Sequence, residues 1–421
     1  MRGISINKGA VGPNANLQGD SISGLLVNGP GVAATAGVSG VVHGTLYPLE
    51  KVKDAEDLGI DAAYDTANAV RIHRHITEFY RRAGEGTKLY LVVGTEASTM
   101  DDLMTNYAPA MVAESNGEIR RLAVAYNPPA AYSPTYVDGL EEVVREAISS
   151  AQNLHNWSWE TDRPLNIFVE GRGINGSVAS MLDLRNITTG AVVLQATNVS
   201  VCIGQDWDYA ETLSGQARNF ADVGTMLGTS ARISVNQNIG EVETLDISSA
   251  PQKIWVTAGL SNHSKITAVE ADLSTYDNKG YIFGMSYTGI SGYRWNNDHV
   301  CAPAVADANG FMNESCIAYG LTLGKAARSL RNQLLPKVKT VVPVDTKTGL
   351  LSTGMIKYFE GIGNAAFDNL AGRGEISGGK TYVDPTSDLL TGDKALKVSF
   401  IVVPTGTIGE IKGTINLKTS L

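Results

Sequence analysis

The sequence predicts an α/β protein: a mostly parallel sheet covered by helices, then an α+β C-terminal domain, with extended β-arms at both chain ends. Three observations carry this. Between residues 22 and 203 short apolar runs alternate with longer helical stretches, the pattern of β–α–β units. After residue 300 the pattern changes to two long helical stretches followed by two segments of alternating hydrophobicity. Both chain ends carry an alternating segment set off by Gly, Pro or Thr. The expected organisation is an arm over residues 1–20, an α/β domain over 21–300 that is long enough for two subdomains, an α+β domain over 301–403, and a strand arm over 404–421.

Each element has its own signal. Ile4 and Ile6 alternate with Ser5 and Asn7, a short strand that Gly9, Gly12 and Pro13 detach from the rest of the chain. Residues 22–27 and 38–46 read as strands separated by Asn28, Gly29, Pro30 and Gly31. A helix comes next with Thr66 as N-cap, Ala69, Val70, Ile72, Ile76, Phe79 and Tyr80 as apolar face, and a stop at Gly84. The alternation continues with strands at 89–93, 119–126, 166–169, 192–196 and 199–203, and helices at 136–151, 177–184 and 220–227. Short β-type runs reach Trp255 and residues 281–283, and the irregular stretch 295–310 marks the domain boundary. Beyond it, a helix over 313–335 stops at Pro336, and a second begins after Ser352 with Met355, Phe359, Ile362, Ala366 and Leu370 on one face. Leu396, Val398, Phe400 and Val402 form one closing strand; Ile411, Ile415 and Leu417 form the other.

Composition excludes several function classes. The 421 residues include 34 Lys and Arg against 43 Asp and Glu, a net charge of −9, which disfavours generic binding to nucleic acid or anionic membranes. Charged residues are only 18 %, against about a quarter in average proteins, and Gly is abundant at 45. Residues 1–49 carry three formal charges, Arg2, Lys8 and Asp20. A surface so poor in charge suits a chain covered by neighbours. Cys202, Cys301 and Cys316 form no CxxC pair and read as buried thiols of a reducing compartment. The N-terminus lacks a signal-peptide apolar run, and no stretch reaches the roughly 18 apolar residues of a membrane span. The expectation is folding in a cytoplasm, without membrane insertion.

Candidate chemistry is sparse. Gly171-Arg172-Gly173-Ile174-Asn175-Gly176 is a GxGxxG between an expected strand and an expected helix, where glycines bring backbone close to a pyrophosphate. The ribose-binding acid about twenty residues on is absent: Leu194, Gln195 and Asn198 occupy that region. The alternative function, an oligomeric nucleotide-binding α/β enzyme, rests on this turn. Gly19-Asp20-Ser21-Ile22-Ser23 has the look of a GDS-type hydrolase block, yet no buried strand precedes it and His299 lacks the spaced Asp. His73 and His75 point about 200° apart on one helix and cannot share a metal. His43, His155, His263 and His299 are single, and each reads as a structural, hydrogen-bonded histidine; Trp157 and Trp159 read as the packing face of a strand. No catalytic, cofactor or metal residues are assigned.

One electrostatic feature stands out. Lys325, Arg328 and Arg331 recur at i, i+3 and i+6, followed by Lys337 and Lys339, with no acid between residues 325 and 339. The stripe is either a solvated helix face or a docking surface for an acidic protein. The terminal strands Ile4–Ile6 and Ile411–Leu417 invite pairing with a neighbouring chain, which by non-closing contacts propagates an array.

These features together resemble the contractile tail-sheath proteins of bacteriophages and related injection systems. The resemblance lies in Gly59-Ile60-Asp61 before the first long helix, Val223–Gly228 followed by Asn238-Ile239-Gly240, and Tyr319–Arg328 continuing to Pro336. It implies stacked hexameric rings around an inner tail tube, arms exchanged between subunits, and contraction that drives the tube through an envelope without cofactor or catalysis. Ile4, Ile6, Ile411, Ile415 and Leu417 are then the inter-subunit arms, and Lys325, Arg328 and Arg331 the candidate tube contact. Implied partners are further copies, the tube protein, and baseplate and tail-terminator proteins. The chain would assemble in a bacterial cytoplasm and end in a virion tail or injection particle.

Overall fold

In the computed structural model, which describes residues 19–189, 192–391, 394–415 and 417, the apolar run after Ser21 forms β1 (Ser23–Asn28) at the centre of a six-stranded sheet. The other strands are β2 (Tyr47–Leu49), β3 (Leu89–Gly94), β4 (Arg121–Ala125), β5 (Asn166–Glu170) and β6 (Val199–Cys202), in the order β6-β5-β4-β1-β3-β2. All pairings are parallel except the short edge strand β2. Leu25 sits between Leu91 of β3 and Ala123 of β4. β1, β3, β4, β5 and β6 are buried along their whole length, as a sheet covered on both faces must be, which explains their unbroken apolar runs. The expected mostly parallel α/β sheet is what the chain forms.

Three helices pack on this sheet or on each other. α1 (Ile72–Ala83) buries Ile72, Ile76 and Phe79 and ends at Gly84, as its spacing predicts. α2 (Glu142–Glu160) lies against β5 and β6, and α3 (Val223–Arg232) against β4, β5 and α1. The α1–α3 approach is close because Gly224 and Gly228 face the α1 backbone: a Cβ on either would stand 2.5 Å from the carbonyl oxygens of His75 and Phe79. A helix over residues 100–114, not anticipated from the sequence, starts at a capping box of Thr99 and Asp102. Its π turn at Leu103–Tyr107 precedes Pro109, which cannot donate an intrahelical bond.

Several sequence expectations need correction. Residues 38–46 form no strand; Gly40 and Gly44 have φ of 80° and 76°, which breaks extended pairing. Thr66 caps nothing: Asp61 caps a separate helix, Ala62–Asn68, which Ala69 ends in the left-handed conformation, and Thr66 bonds back to Ala62 within it. Residues 136–141 form a small hairpin, so α2 starts later than expected, and Trp157 and Trp159 sit on a helix instead of a strand. The expected helix 177–184 is reduced to 3₁₀ turns at Val178–Ser180 and Leu184–Asn186. Val192–Leu194 pairs with Ile187–Thr189 outside the main sheet.

The chain divides into two compact units, Met1–Val235 with Ile239–Leu321, and Asn236–Asn238 with Thr322–Leu421. The division falls inside α4 (Ile317–Leu334), downstream of the position read near residue 300. The reason is local: Cys301 exchanges backbone bonds with Ala196 and Val199, and the Asp298 carboxylate accepts the Ala318 N–H, which ties residues 301–321 to the first unit. The second unit has an α+β make-up. α5 (Thr353–Gly372), capped by Ser352, packs on an antiparallel pair, β7 (Ile376–Val383) and β8 (Val398–Pro404). Its apolar cores are small, one around Leu330, Phe367 and Leu370 and one around Leu351, Phe359 and Val383. Residues 405–415 continue without regular structure. No helix among the described residues is long and apolar enough to cross a membrane.

Candidate functional site

In open parallel sheets, ligands sit outside the carboxyl ends of the strands where chain order reverses. Here that place lies beside β1, because the chain runs from β1 to β3 on one side and then crosses to β4 on the other. Asn28 ends β1, and Asn127 lies just past the end of β4. Asn127 donates its N–H to Asn28 Oδ1 at 2.7 Å and its Nδ2 to the Asn28 carbonyl at 2.8 Å, while Asn28 Nδ2 donates to the Asn127 carbonyl at 2.8 Å. Arg71, at the start of α1, donates its backbone N–H and one guanidinium nitrogen to Asn127 Oδ1. Glu170, the last residue of β5, accepts the N–H of Tyr126 at 2.7 Å and of Ala221 at 3.0 Å. Asn28, Arg71, Asn127 and Glu170 are at most 5 % exposed, so the crevice is filled by the protein's own polar groups. Burial pushes Arg71 down to about 10 and raises Glu170, although Arg172 and Arg71 pull Glu170 back.

The glycine turn belongs to the same edge. Gly171 donates to the Cys202 carbonyl at 2.7 Å and Gly173 to that of Asn219 at 2.9 Å, so the backbone donors a phosphate needs are used internally. Gly173 has φ of 56°, and the space where a Cβ would stand is taken by the Glu141 carboxylate. Arg172, fully buried, pairs with Glu141 at 3.0 Å and donates to the carbonyls of Tyr126 and Gln216. No helix N-terminus follows the turn. The nucleotide reading of Gly171–Gly176 is therefore corrected: the glycines serve a tight turn against Glu141 and β6.

One turn along α1 from Arg71, Arg74 gathers three carboxylates. It lies 3.0 Å from Asp206, 3.4 Å from Asp222 and 3.7 Å from Glu78, with its guanidinium 4.2 Å above the Tyr209 ring. Glu78 also pairs with Arg81 at 2.6 Å and accepts the Thr225 hydroxyl at 2.9 Å. Burial raises Asp222 to about 7 against the pull of Arg74, whereas Glu78 stays below its usual range because Arg74 and Arg81 outweigh its burial. A cleft of about 560 Å³ opens beside this cluster, lined among others by Asp65, His73, Arg74, Thr77, Tyr209 and Leu213. Its ionised groups are engaged: Asp65 accepts the N–H groups of His73 and Arg74 at the start of α1, and burial raises it to about 6. The arrangement locks α1 to the strand Gly204–Asp206 and to Asp222, the residue before α3. Sequence reasoning missed it; the available signal was charge at Arg71, Arg74, Glu78 and Arg82 within an otherwise apolar helix.

The remaining candidates are held in structural roles or stand apart from the sheet edge. His75 is buried, its pKa pushed down to about 3 by burial and by Arg71 and Arg74, while His73 is half-buried, its Nε2 3.8 Å from Glu56. His299 is held between Asp277 at 2.8 Å and Arg185 at 2.6 Å, and Ser21 and Ser23 bond to each other near the start of β1. His43, His155 and His263 are each hydrogen-bonded, as structural histidines are. Cys202, Cys301 and Cys316 are free, and burial pushes all three thiols up. Among the described residues no group of three His, Cys, Asp or Glu could hold a metal ion. In the second unit Lys325 of the basic stripe is paired with Glu375, both nearly buried; Arg328 is half-buried and Arg331 exposed. Ile411, Ile415 and Leu417 are 86 %, 96 % and 102 % exposed, with no strand formed there among the described residues. Ile4 and Ile6 lie outside the described residues.

Residues 17–299 match the family model described as the DUF2586 N-terminal domain. The chain belongs to the DUF2586 family. That match spans the parallel sheet and the Arg74 cluster and stops before α4. No curated protein matches the sequence. Among solved structures, this DUF2586 chain is similar in fold to a chain in the cryo-EM structure of the anti-feeding prophage (AFP) baseplate, 6-fold symmetrised, with a TM-score of 0.58 and 11 % identity, covering 100 % of this chain and 99 % of that one.

Proposed function

We propose that this protein is a structural subunit of a contractile injection particle and, more specifically, a sheath subunit that stacks in hexameric rings around an inner tube and contracts to drive the tube through an envelope. The observation that carries the reading is the likeness of fold to a chain of the AFP baseplate over practically the full length of both chains. Two features support it. The crevice where an α/β enzyme would bind its substrate is filled by Asn28, Arg71, Asn127 and Glu170. Ile411, Ile415 and Leu417 stand almost fully in solvent, an alternating apolar segment with no seat in its own fold.

In this reading Ile4 and Ile6 at one end, and Ile411, Ile415 and Leu417 at the other, pair with neighbouring copies. Lys325 is engaged by Glu375 and lies nearly buried, so the contact with an acidic tube protein centres on the exposed Arg331 and the half-buried Arg328. Baseplate and terminator proteins cap the stack; nucleic acid, membrane insertion, cofactor and catalysis play no part. Assembly takes place in a bacterial cytoplasm, and the product is a virion tail or related particle. Sedimentation of the purified protein followed by negative-stain microscopy tests the proposal: tubes or stacked rings are expected, and a strictly monomeric protein at high concentration, alone or with the tube protein of the same particle, rules it out.

A further inference from the structure

We infer that copies also join by a knob and a groove: loop 303–313 of one copy seats in a lysine-rimmed groove on the second unit of another. This rests on the self-assembly reading above. The groove has a volume of about 380 Å³ between the end of α4, the start of α5 and the segment entering β8. Leu334, Phe359 and Leu396 form its apolar floor, and the charged residues lining it, among those described, are Lys337, Lys339 and Lys394. Lys339 and Lys394 have φ of 65° and 53°, a backbone region costly for a residue with a side chain, so the rim lysines are held where they stand by the surrounding fold.

The knob belongs to the first unit. Val305, Phe311 and Met312 are 45 %, 57 % and 52 % exposed, three large apolar side chains on one short loop. The loop is rigid by its own hydrogen bonds. Asp307 donates its N–H to the Phe311 carbonyl at 2.8 Å, and its carboxylate accepts the N–H groups of Asn309 and Phe311 at 2.8 and 2.9 Å. The Asn313 carboxamide closes the neck, accepting from Val305 N–H and donating to the Pro303 carbonyl. An apolar loop ordered before contact loses little freedom on binding, which favours a docking role.

Charge selects the occupant. The second unit carries 13 Lys and Arg against 8 Asp and Glu, a net +5, whereas the first carries 21 against 35, a net −14. The groove rim is basic and the only charge on the loop is Asp307, so first unit and second unit of different copies attract. Because knob and groove sit on different units, every copy offers both, and the contact is heterologous and self-propagating.

The test is disulfide trapping between single variants. Phe311→Cys protein mixed with Val338→Cys protein, whose changed side chain lines the groove, is expected to give a disulfide-linked dimer under mild oxidation. Phe311→Cys mixed with Val42→Cys, an exposed position off the groove, is the collision control. Phe311→Asp is expected to slow particle formation at least tenfold without moving the unfolding midpoint. Particles without a trapped dimer above control, or a disulfide that forms only within a Phe311→Cys, Val338→Cys double variant, overturns the inference. So does Phe311→Asp protein assembling at the unchanged rate. A trapped dimer from protein that forms no particles upholds the docking and removes the particle reading instead.

Discussion

Arg74 stands among Glu78, Asp206 and Asp222, three carboxylates at most 1 % exposed, of which only Glu78 has a second arginine partner in Arg81. Removing Arg74 leaves buried charge uncompensated, so Arg74→Leu is expected to cost about 3–5 kcal/mol of unfolding free energy in urea titrations. A loss below about 1 kcal/mol would mean that water, and not Arg74, balances those carboxylates. The same cluster makes a pH prediction. Asp222 is raised to about 7, so the folded state holds a proton that the unfolded chain has already released. Its contribution is complete below about pH 4 and is lost as pH rises through 7. His75, lowered to about 3, acts in the opposite sense, which makes the difference between wild type and Asp222→Asn the quantity to follow. That difference is expected to shift against the wild type by about 2–4 kcal/mol between pH 4.5 and 8; a pH-independent difference excludes the assignment. The cluster was illegible in the sequence because Arg74 and Asp222 are 148 positions apart, and periodicity reports a face without naming the residues it meets.

The α1–α3 pair gives the clearest contrast between local propensity and packing. In an exposed helix Gly→Ala adds about 1 kcal/mol of stability. At Gly228 the new Cβ would meet the Phe79 carbonyl at 2.5 Å and the Arg82 Cβ at 2.9 Å, so Gly228→Ala is expected to cost about 1–3 kcal/mol. Gly361, in α5 with open space where its Cβ would stand, is the control and should be neutral or gain up to about 1 kcal/mol. Equal effects at the two positions in thermal or urea unfolding would refute the close-packing account. The strands of the parallel sheet were legible because burial on both faces demands continuous apolar runs. The expected strand at 38–46 failed because hydrophobicity does not show that Gly40 and Gly44 adopt positive φ. The expected helix at 177–184 failed for another reason: its apolar residues are shared between two short 3₁₀ turns and the side chains of Met181 and Leu184 that face the core.

Deleting residues 407–421 removes the exposed Ile408, Ile411, Ile415 and Leu417 and leaves β7 and β8 intact. The truncated chain is expected to unfold within about 1 kcal/mol of the full one, since exposed side chains stabilise little. Particle yield by sedimentation is expected to fall at least tenfold, and an unchanged yield would show that this arm has no part in assembly. Amino-acid order alone was enough for the α/β class, the sheet strands, the two long C-terminal helices and the strand entering β8, because each is a local period of burial that neighbours in sequence report. Folding in three dimensions decided the rest. It filled the sheet's carboxyl edge with Asn28, Arg71, Asn127 and Glu170, turned Gly171–Gly176 onto Glu141, and drew Lys325 to Glu375. Those are meetings of distant residues in a low-dielectric interior, where each charge takes the partner that geometry brings and no period in the chain announces it.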